Sequence, residues 1–169
     1  MKPFMIITLA CLLAAIAYAT TTASAAQPQC TFDILVKTGD RDDAGTDSRI
    51  SLQLSGASGP KLAIRSLKAW GGKMGAGHDY FERGNLDRFR GTGPCLSGTP
   101  CNLVLTSSGS GNKPGWYVSY VQVTQVGQGS GASTTRRWKL EQWLAVTAPP
   151  HELSTVRNDC SFPAATALP

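Results

Sequence analysis

Apolar and polar residues alternate with a period of two along several short stretches of this chain. Phe32, Ile34 and Val36 interleave with Asp33 and Lys37, and Ile50, Leu52 and Leu54 with Ser51 and Gln53. This spacing sends one set of side chains to a core and the other to water, as in a half-buried strand. Runs at Leu62–Ile64, Leu86–Phe89 and Leu103–Leu105, and longer ones from Trp116 to Val126 and from Trp138 to Leu144, continue the series. Clusters of glycine, serine, proline and asparagine separate them, and Ser55–Pro60 and Gly127–Gly131 read as turns. No segment repeats its apolar residues at helical spacing. Many short strands with glycine-rich turns predict an antiparallel β-sandwich, with no internal repeat and no linker between domains.

The first residues belong to a different pattern. Lys2 precedes a run from Phe4 to Ala19 that is apolar apart from Thr8 and the Tyr18 hydroxyl, and Ala23-Ser24-Ala25 supplies small residues for cleavage. A membrane span needs about 20 apolar residues, and Thr20-Thr21-Thr22 closes this run earlier. Residues 1–26 therefore read as a secretory signal peptide, leaving one domain over 27–160 and a loose tail over 161–169. The expected location is the secretory pathway, either the endoplasmic reticulum or outside the cell. There is no Asn-x-Ser/Thr acceptor for glycosylation.

Secretion changes the meaning of the cysteines. Cys11 falls in the leader, and Cys30, Cys95, Cys101 and Cys160 remain, enough for two disulfides in an oxidising compartment. Three pairings are possible. Cys30 opens the first strand and Cys160 follows the last periodic segment, so termini lying together predict Cys30–Cys160, with Cys95–Cys101 as the second bond. Zinc knuckle spacing is absent, and His78 and His151 are remote from the cysteines in sequence.

Charge narrows the partners. Net charge is +5, or +4 without Lys2, with basic groups at Lys61, Arg65, Lys68 and Lys73 and at Arg136, Arg137 and Lys139. These suit anionic headgroups or pectin-like polyanions. No dense basic block with interleaved aromatics points to nucleic acid. Enzyme chemistry finds little support: no serine has glycine at both −2 and +2, neither histidine has an evident nucleophilic partner, and Asp42 and Asp43 share a turn instead of facing each other across a cleft.

Two loops carry candidate chemistry. Thr38 to Asp47 packs four carboxylates and two glycines into ten residues. Asp40 and Asp47 with the loop carbonyls can contribute oxygen ligands to a hard cation such as calcium, or can cap the turn by accepting backbone N–H bonds. Lys68 to Gly77 holds four glycines with Trp70 and Met74, a composition poorly suited to regular structure.

Six ordered segments resemble a PLAT domain, and in particular the stand-alone, secretory, stress-associated PLAT proteins of plants. They are Lys37-Thr38-Gly39-Asp40 with Ala44-Gly45-Thr46-Asp47; Phe81-Glu82-Arg83-Gly84-Asn85-Leu86-Asp87; Gly93-Pro94-Cys95 to Cys101; Gly115-Trp116-Tyr117-Val118 with Tyr120-Val121; Glu141-Gln142-Trp143-Leu144-Ala145; and Val156-Arg157-Asn158-Asp159-Cys160. The resemblance implies an all-β fold of eight antiparallel strands in two four-stranded sheets. It also implies a non-enzymatic role in attachment to membrane lipid headgroups or a protein partner, in plant stress responses.

The same resemblance brings Asp79 and Glu82 to the calcium loop, giving the expected ligand set Asp40, Asp47, Asp79 and Glu82. It also places Trp70 and Met74, flanked by Lys68 and Lys73, where relatives insert an aromatic into a bilayer interface. The alternative is that Trp70 folds back over the sandwich edge. A second inserting aromatic is missing, since Ser110-Gly111-Asn112-Lys113 stands at its place. Trp116 and Trp143 fall in strand motifs and read as core. A different class of function, binding of an apoplastic carbohydrate or protein ligand in a cell wall or on an enzyme, fits the same charge.

Overall fold

The structure, a computed structural model, describes residues 26–127 and 131–160. The expected leader, Ala26 aside, the tail 161–169 and the centre of the Gly127–Gly131 turn lie outside the described residues. Eight strands form: β1 (Gln29–Thr38), β2 (Ile50–Ser55), β3 (Lys61–Ile64), β4 (Leu86–Pro94), β5 (Asn102–Ser107), β6 (Trp116–Gly127), β7 (Ser133–Leu144) and β8 (Ser154–Asn158). They make two antiparallel four-stranded sheets, ordered β4-β1-β6-β7 and β3-β2-β5-β8, as the resemblance implied.

Period-two alternation builds the core. Cys30, Phe32, Ile34, Val36 and Thr38 point inward from β1, and Ile50, Leu52, Leu54, Leu103 and Leu105 meet them from the other sheet. Side chains of two inner faces interdigitate in this way across a sandwich. Each fully buried Leu, Ile or Phe contributes about 1.5–3 kcal/mol relative to exposure. The buried Trp116 indole Nε1–H donates to Thr38 Oγ1 at 3.0 Å, whereas the indole N–H of Trp138, also in the core, has no hydrogen-bond partner among the described residues.

Apart from the β2–β3 and β6–β7 hairpins, every connection crosses from one sheet to the other. The connections 39–49, 65–85, 108–115 and 145–153 gather at one end of the sandwich, because Thr38, Ile50, Leu86, Ser107, Trp116, Leu144 and Ser154 all terminate their strands there, as the pairing registers require. A short helix, α1 (Leu67–Gly71), interrupts one of them, where sequence composition suggested no regular structure. The Ser66 hydroxyl caps it by accepting from Ala69 N–H at 3.4 Å, and Leu67 anchors it in the core.

The eighth strand shows no apolar alternation because its polarity is reversed. Thr155 faces inward and is buried, whereas Val156 points outward, 56 % exposed. The Thr155 hydroxyl donates to Gln142 Oε1 at 3.0 Å and accepts from the Arg157 guanidinium at 2.7 Å, so a polar network does the work that apolar contacts do elsewhere.

The disulfides correct the expected pairing. The bonds are Cys30–Cys95 and Cys101–Cys160, not Cys30–Cys160 and Cys95–Cys101. Strand register explains the difference. β1 and β4 pair Cys30 with Gly93 and Gln29 with Pro94, and the Cys95 N–H donates to Pro28 O at 2.9 Å, bringing Cys95 beside Cys30. Likewise β5 and β8 pair Asn102 with Asn158, and Asp159 N–H donates to Cys101 O at 2.8 Å. Each bond therefore staples neighbours within one sheet, while the chain between Cys95 and Cys101 passes from one sheet to the other.

Non-reducing peptide mapping should recover Cys30–Cys95 and Cys101–Cys160 with no free thiol among the four. The bonds close loops of sequence separation 65 and 59. In the loop-entropy account, replacing either pair by serines should cost about 4 kcal/mol, read as a lower denaturation midpoint.

Candidate functional site

The acidic loop after β1 is fastened to β6 before any ligand is considered. Gly39 N–H donates to Tyr117 O at 2.8 Å and Tyr117 N–H to Ala44 O at 3.0 Å. The Arg41 guanidinium lies 4.3 Å from the centroid of the Tyr117 ring. Gly39 permits this approach, since a Cβ there would lie 2.3 Å from the tyrosine ring. Burial, and then the hydrogen bond from its hydroxyl to Glu141 Oε2 at 3.1 Å, hold the Tyr117 phenol above its ordinary range.

Within that loop the carboxylates part company. Asp40 and Asp42 turn to Arg83, whose Nε and Nη1 donate to them at 2.8 and 2.6 Å on the exposed surface. Asp47 turns the other way and joins Asp79 and Glu82: one oxygen from each lies within 4.8 Å of the others. Of the four expected ligands the structure thus groups three, and Asp40 is separated because Arg83 neutralises it. Gly45 leaves the necessary room, as a Cβ there would stand 2.8 Å from Glu82 Oε2.

A buried carboxylate sets this geometry. Asp87 has no exposed surface, accepts from Phe81 N–H at 2.7 Å and meets His78 Nε2 at 2.6 Å. Phe81 adopts φ 66°, a left-handed conformation costly for a bulky residue. Its ring stacks on Phe89 at 5.6 Å and meets Trp116 edge-on at 5.4 Å, and the Asp87 bond fixes its N–H. The turn carrying Asp79 and Glu82 is held from both sides. Thr46 N–H donates to Phe81 O at 3.2 Å, and Asp47 N–H to Asn112 O at 3.4 Å, which ties the third carboxylate to the same framework.

Three carboxylates offer up to six hard oxygens. Calcium takes six to eight at 2.3–2.6 Å, so ligands on opposite sides of it stand about 4.6–5.2 Å apart. The observed spread fits that span. A cleft of about 220 Å³ opens beside the trio, lined by Asp47, Arg49, Ser66, Lys68, Asp79 and Tyr80 among others.

The second loop departs from a projecting wedge. Trp70 is half-buried on α1, packed against the core, and its indole occupies the space above Gly91 of β4, where a Cβ would lie 2.5 Å from the ring. This packing supports the folded-back alternative. Met74 is also half-buried, and its N–H donates to the Tyr80 hydroxyl at 3.0 Å. The exposed tip is Gly75-Ala76-Gly77, with Lys68 and Lys73 exposed nearer its base.

Trp143 overturns a core assignment. It is only partly buried and is not part of the core cluster, stands across from Tyr117 in the β6–β7 ladder and meets that ring edge-on at 5.4 Å. It lines a cleft of about 290 Å³ with Asp43, Lys113, Gly115, Ala145 and Ala148, next to Val146, which is 61 % exposed. The sequence held the signal. Trp138, Leu140 and Leu144 are in phase as inward residues, and Trp143 is out of phase with them. Trp116, by contrast, is fully buried as expected.

Comparison with known proteins bears on this end of the sandwich. The family model for the PLAT/LH2 domain matches residues 32–155. PLAT domain-containing protein 2 of Arabidopsis thaliana is 48 % identical over 134 residues, covering 79 % of this chain and 73 % of that protein. PLAT domain-containing protein 1 of the same plant is 47 % identical over 133 residues, with the same shares covered. Among solved structures, a coral 8R-lipoxygenase, described as activated by calcium via a C2-like domain, matches with a TM-score of 0.55 at 21 % identity, over 76 % of this chain and 16 % of its own.

Because Trp70 fills the gap over Gly91 but stays partly exposed, Trp70→Ala should cost about 2 kcal/mol, less than the loss for a fully buried tryptophan. Trp143→Ala should cost less than about 1 kcal/mol, its ring being supported chiefly from one side. Chemical denaturation of the two variants beside the parent checks the order, and a larger loss for Trp143 would refute it.

Proposed function

The chain belongs to the PLAT/LH2 domain family, a lipid- and protein-binding module, and we propose that it is a non-enzymatic attachment domain whose loop end engages anionic membrane headgroups with the assistance of calcium. The carrying observation is the convergence of Asp47, Asp79 and Glu82, with exposed Lys68 lining the same cleft. Oxygen-only donors of this number and spacing suit calcium better than a transition metal, which prefers nitrogen or sulfur ligands. Calcium, when bound, supplies positive charge where three carboxylates otherwise repel an anionic surface.

The residues of the chain divide the remaining tasks. Asp87 and Phe81 orient the ligand turn. Lys68 and Lys73 add charge toward anionic lipid, each worth about 1 kcal/mol near such a surface. Trp143 and Val146 provide the apolar contact that the Trp70 loop withholds, since aromatic side chains settle readily at a membrane interface. Met74 stays with the core. The leader-like residues 1–26 and the two disulfides support a secretory location, in the endoplasmic reticulum or outside the cell, and likeness to plant PLAT proteins supports a role in stress responses.

Calcium should raise the melting temperature of the disulfide-bonded chain by an amount equivalent to about 2.7 kcal/mol at a hundredfold excess over Kd. Asp79→Asn or Glu82→Gln should abolish the shift, and Asp40→Asn should leave it intact. Sedimentation with phosphatidylserine-containing vesicles should require calcium and weaken in Trp143→Ala. An unchanged melting temperature at millimolar calcium would remove calcium from the proposal, and absence of vesicle binding would remove the membrane.

A further inference from the structure

The outer face of the β3-β2-β5-β8 sheet carries a groove that the loop-end reading does not use. Its volume is about 430 Å³. β2 forms its centre with Ser51 and Gln53, β3 contributes Ala63 beside Gln53, and β5 contributes Thr106 beside Ser51. Small or hydroxyl-bearing residues thus leave the sheet surface low. Arg49 and Arg65 stand at its border, and no acidic side chain lines it.

Those two arginines differ from all the others in the chain. Arg83 binds Asp40 and Asp42, Arg88 and Arg90 bind Asp33, and Arg136 binds Asp159. Arg41 and Arg137 lie on tyrosine rings, and Arg157 donates to Gln142 and Thr155. The guanidinium groups of Arg49 and Arg65 alone have no hydrogen-bond, ionic or aromatic partner among the described residues. A guanidinium presents a planar fork that matches a carboxylate, and two such forks on one groove select a ligand bearing more than one anionic group.

The floor adds a second requirement. Ser51 Oγ donates to Thr106 O at 3.4 Å, Thr106 Oγ1 pairs with Ser154 Oγ at 2.8 Å, and the Ser108 hydroxyl accepts from Arg49 N–H at 3.1 Å. Hydroxyl oxygens retain lone pairs beyond these bonds, and the Gln53 amide has no side-chain partner, so the floor can exchange hydrogen bonds with a polyhydroxylated ligand. No aromatic residue lines the groove to stack a neutral sugar ring. Charge must therefore provide the selectivity.

We propose that this groove binds an acidic oligosaccharide, a chain of uronic-acid residues whose carboxylates meet Arg49 and Arg65 while its hydroxyls meet Ser51, Gln53 and Thr106. The site requires no metal, although Arg49 also borders the cleft beside the carboxylate trio.

The test is calorimetric titration of the disulfide-bonded chain with an oligogalacturonate in EDTA, which removes calcium from both protein and sugar. Binding should be seen with the free-acid oligomer and be lost when its carboxylates are methyl-esterified. Arg49→Gln and Arg65→Gln should each weaken it about tenfold, in line with loss of one charge-assisted contact, with melting temperature unchanged because both side chains are exposed. Glu82→Gln, which disables the calcium trio at the member that does not share a cleft with Arg49, should bind the oligomer as the parent does. No heat at millimolar oligomer, equal binding of the esterified form, or indifference to both arginine substitutions would overturn the proposal. So would displacement of the arginine dependence onto phosphatidylinositol phosphate vesicles or inorganic phosphate with no response to the oligomer, which would assign the groove to phosphate.

Discussion

Asp87 occupies a strand position that faces the core, and it constrains everything around it: with no exposed surface, its oxygens must be met by donors from the protein. Phe81 N–H and His78 meet them. Because Phe81 is thereby held in a left-handed conformation with its ring between Phe89 and Trp116, the turn before β4 has little freedom. That turn then accepts Thr46 N–H and aligns the acidic loop. The loop end is thus built outward from a buried polar anchor, and the exposed carboxylates inherit their positions from it. An unpaired Asp87 would leave a desolvated carboxylate, so the fold and the site share one constraint.

Sheet periodicity made most of the fold legible, and its exceptions mark the places where polar contacts override it. β4 is the clearest case: Leu86 points outward, 43 % exposed, while Asp87 points inward. A reading by hydropathy puts those two the other way round. β8 repeats the inversion with Thr155 and Val156. The disulfides escaped for a different reason. Proximity of cysteines along the chain says nothing about which strands are neighbours, and Cys95 and Cys101 belong to different sheets although only a short crossing joins them.

The candidate site was legible by residue type more than by partner. Asp47 announces hard-cation chemistry by its place in the acidic loop, the family resemblance adds Asp79 and Glu82, and the three do converge. Asp40 has the same chemistry but a nearer cation in Arg83, a contact spanning 43 positions that no local pattern encodes. Trp70 illustrates the complementary failure. The glycines around it suggest exposure, yet another glycine, Gly91, distant in sequence, provides the space into which the indole packs. Glycine content marks close approach as often as freedom.

A bulge completes the loop end. The β6–β7 register shifts between Val118 and Tyr120, opposite Glu141, which adopts φ 48°. An extra residue in one strand resets which side chains face out. Tyr117 and Trp143 therefore pair on the outer surface, while Trp116, Val118 and Leu144 remain inside. Glu141 itself accepts the Tyr117 hydroxyl, and Arg41 lies over the same ring, so the acidic loop is clasped where the bulge turns the tyrosine outward. Trp143 is left partly exposed in the cleft that it shares with Asp43 of the loop. One backbone irregularity thereby separates an aromatic that secures the ligand loop from an aromatic that remains available to a partner.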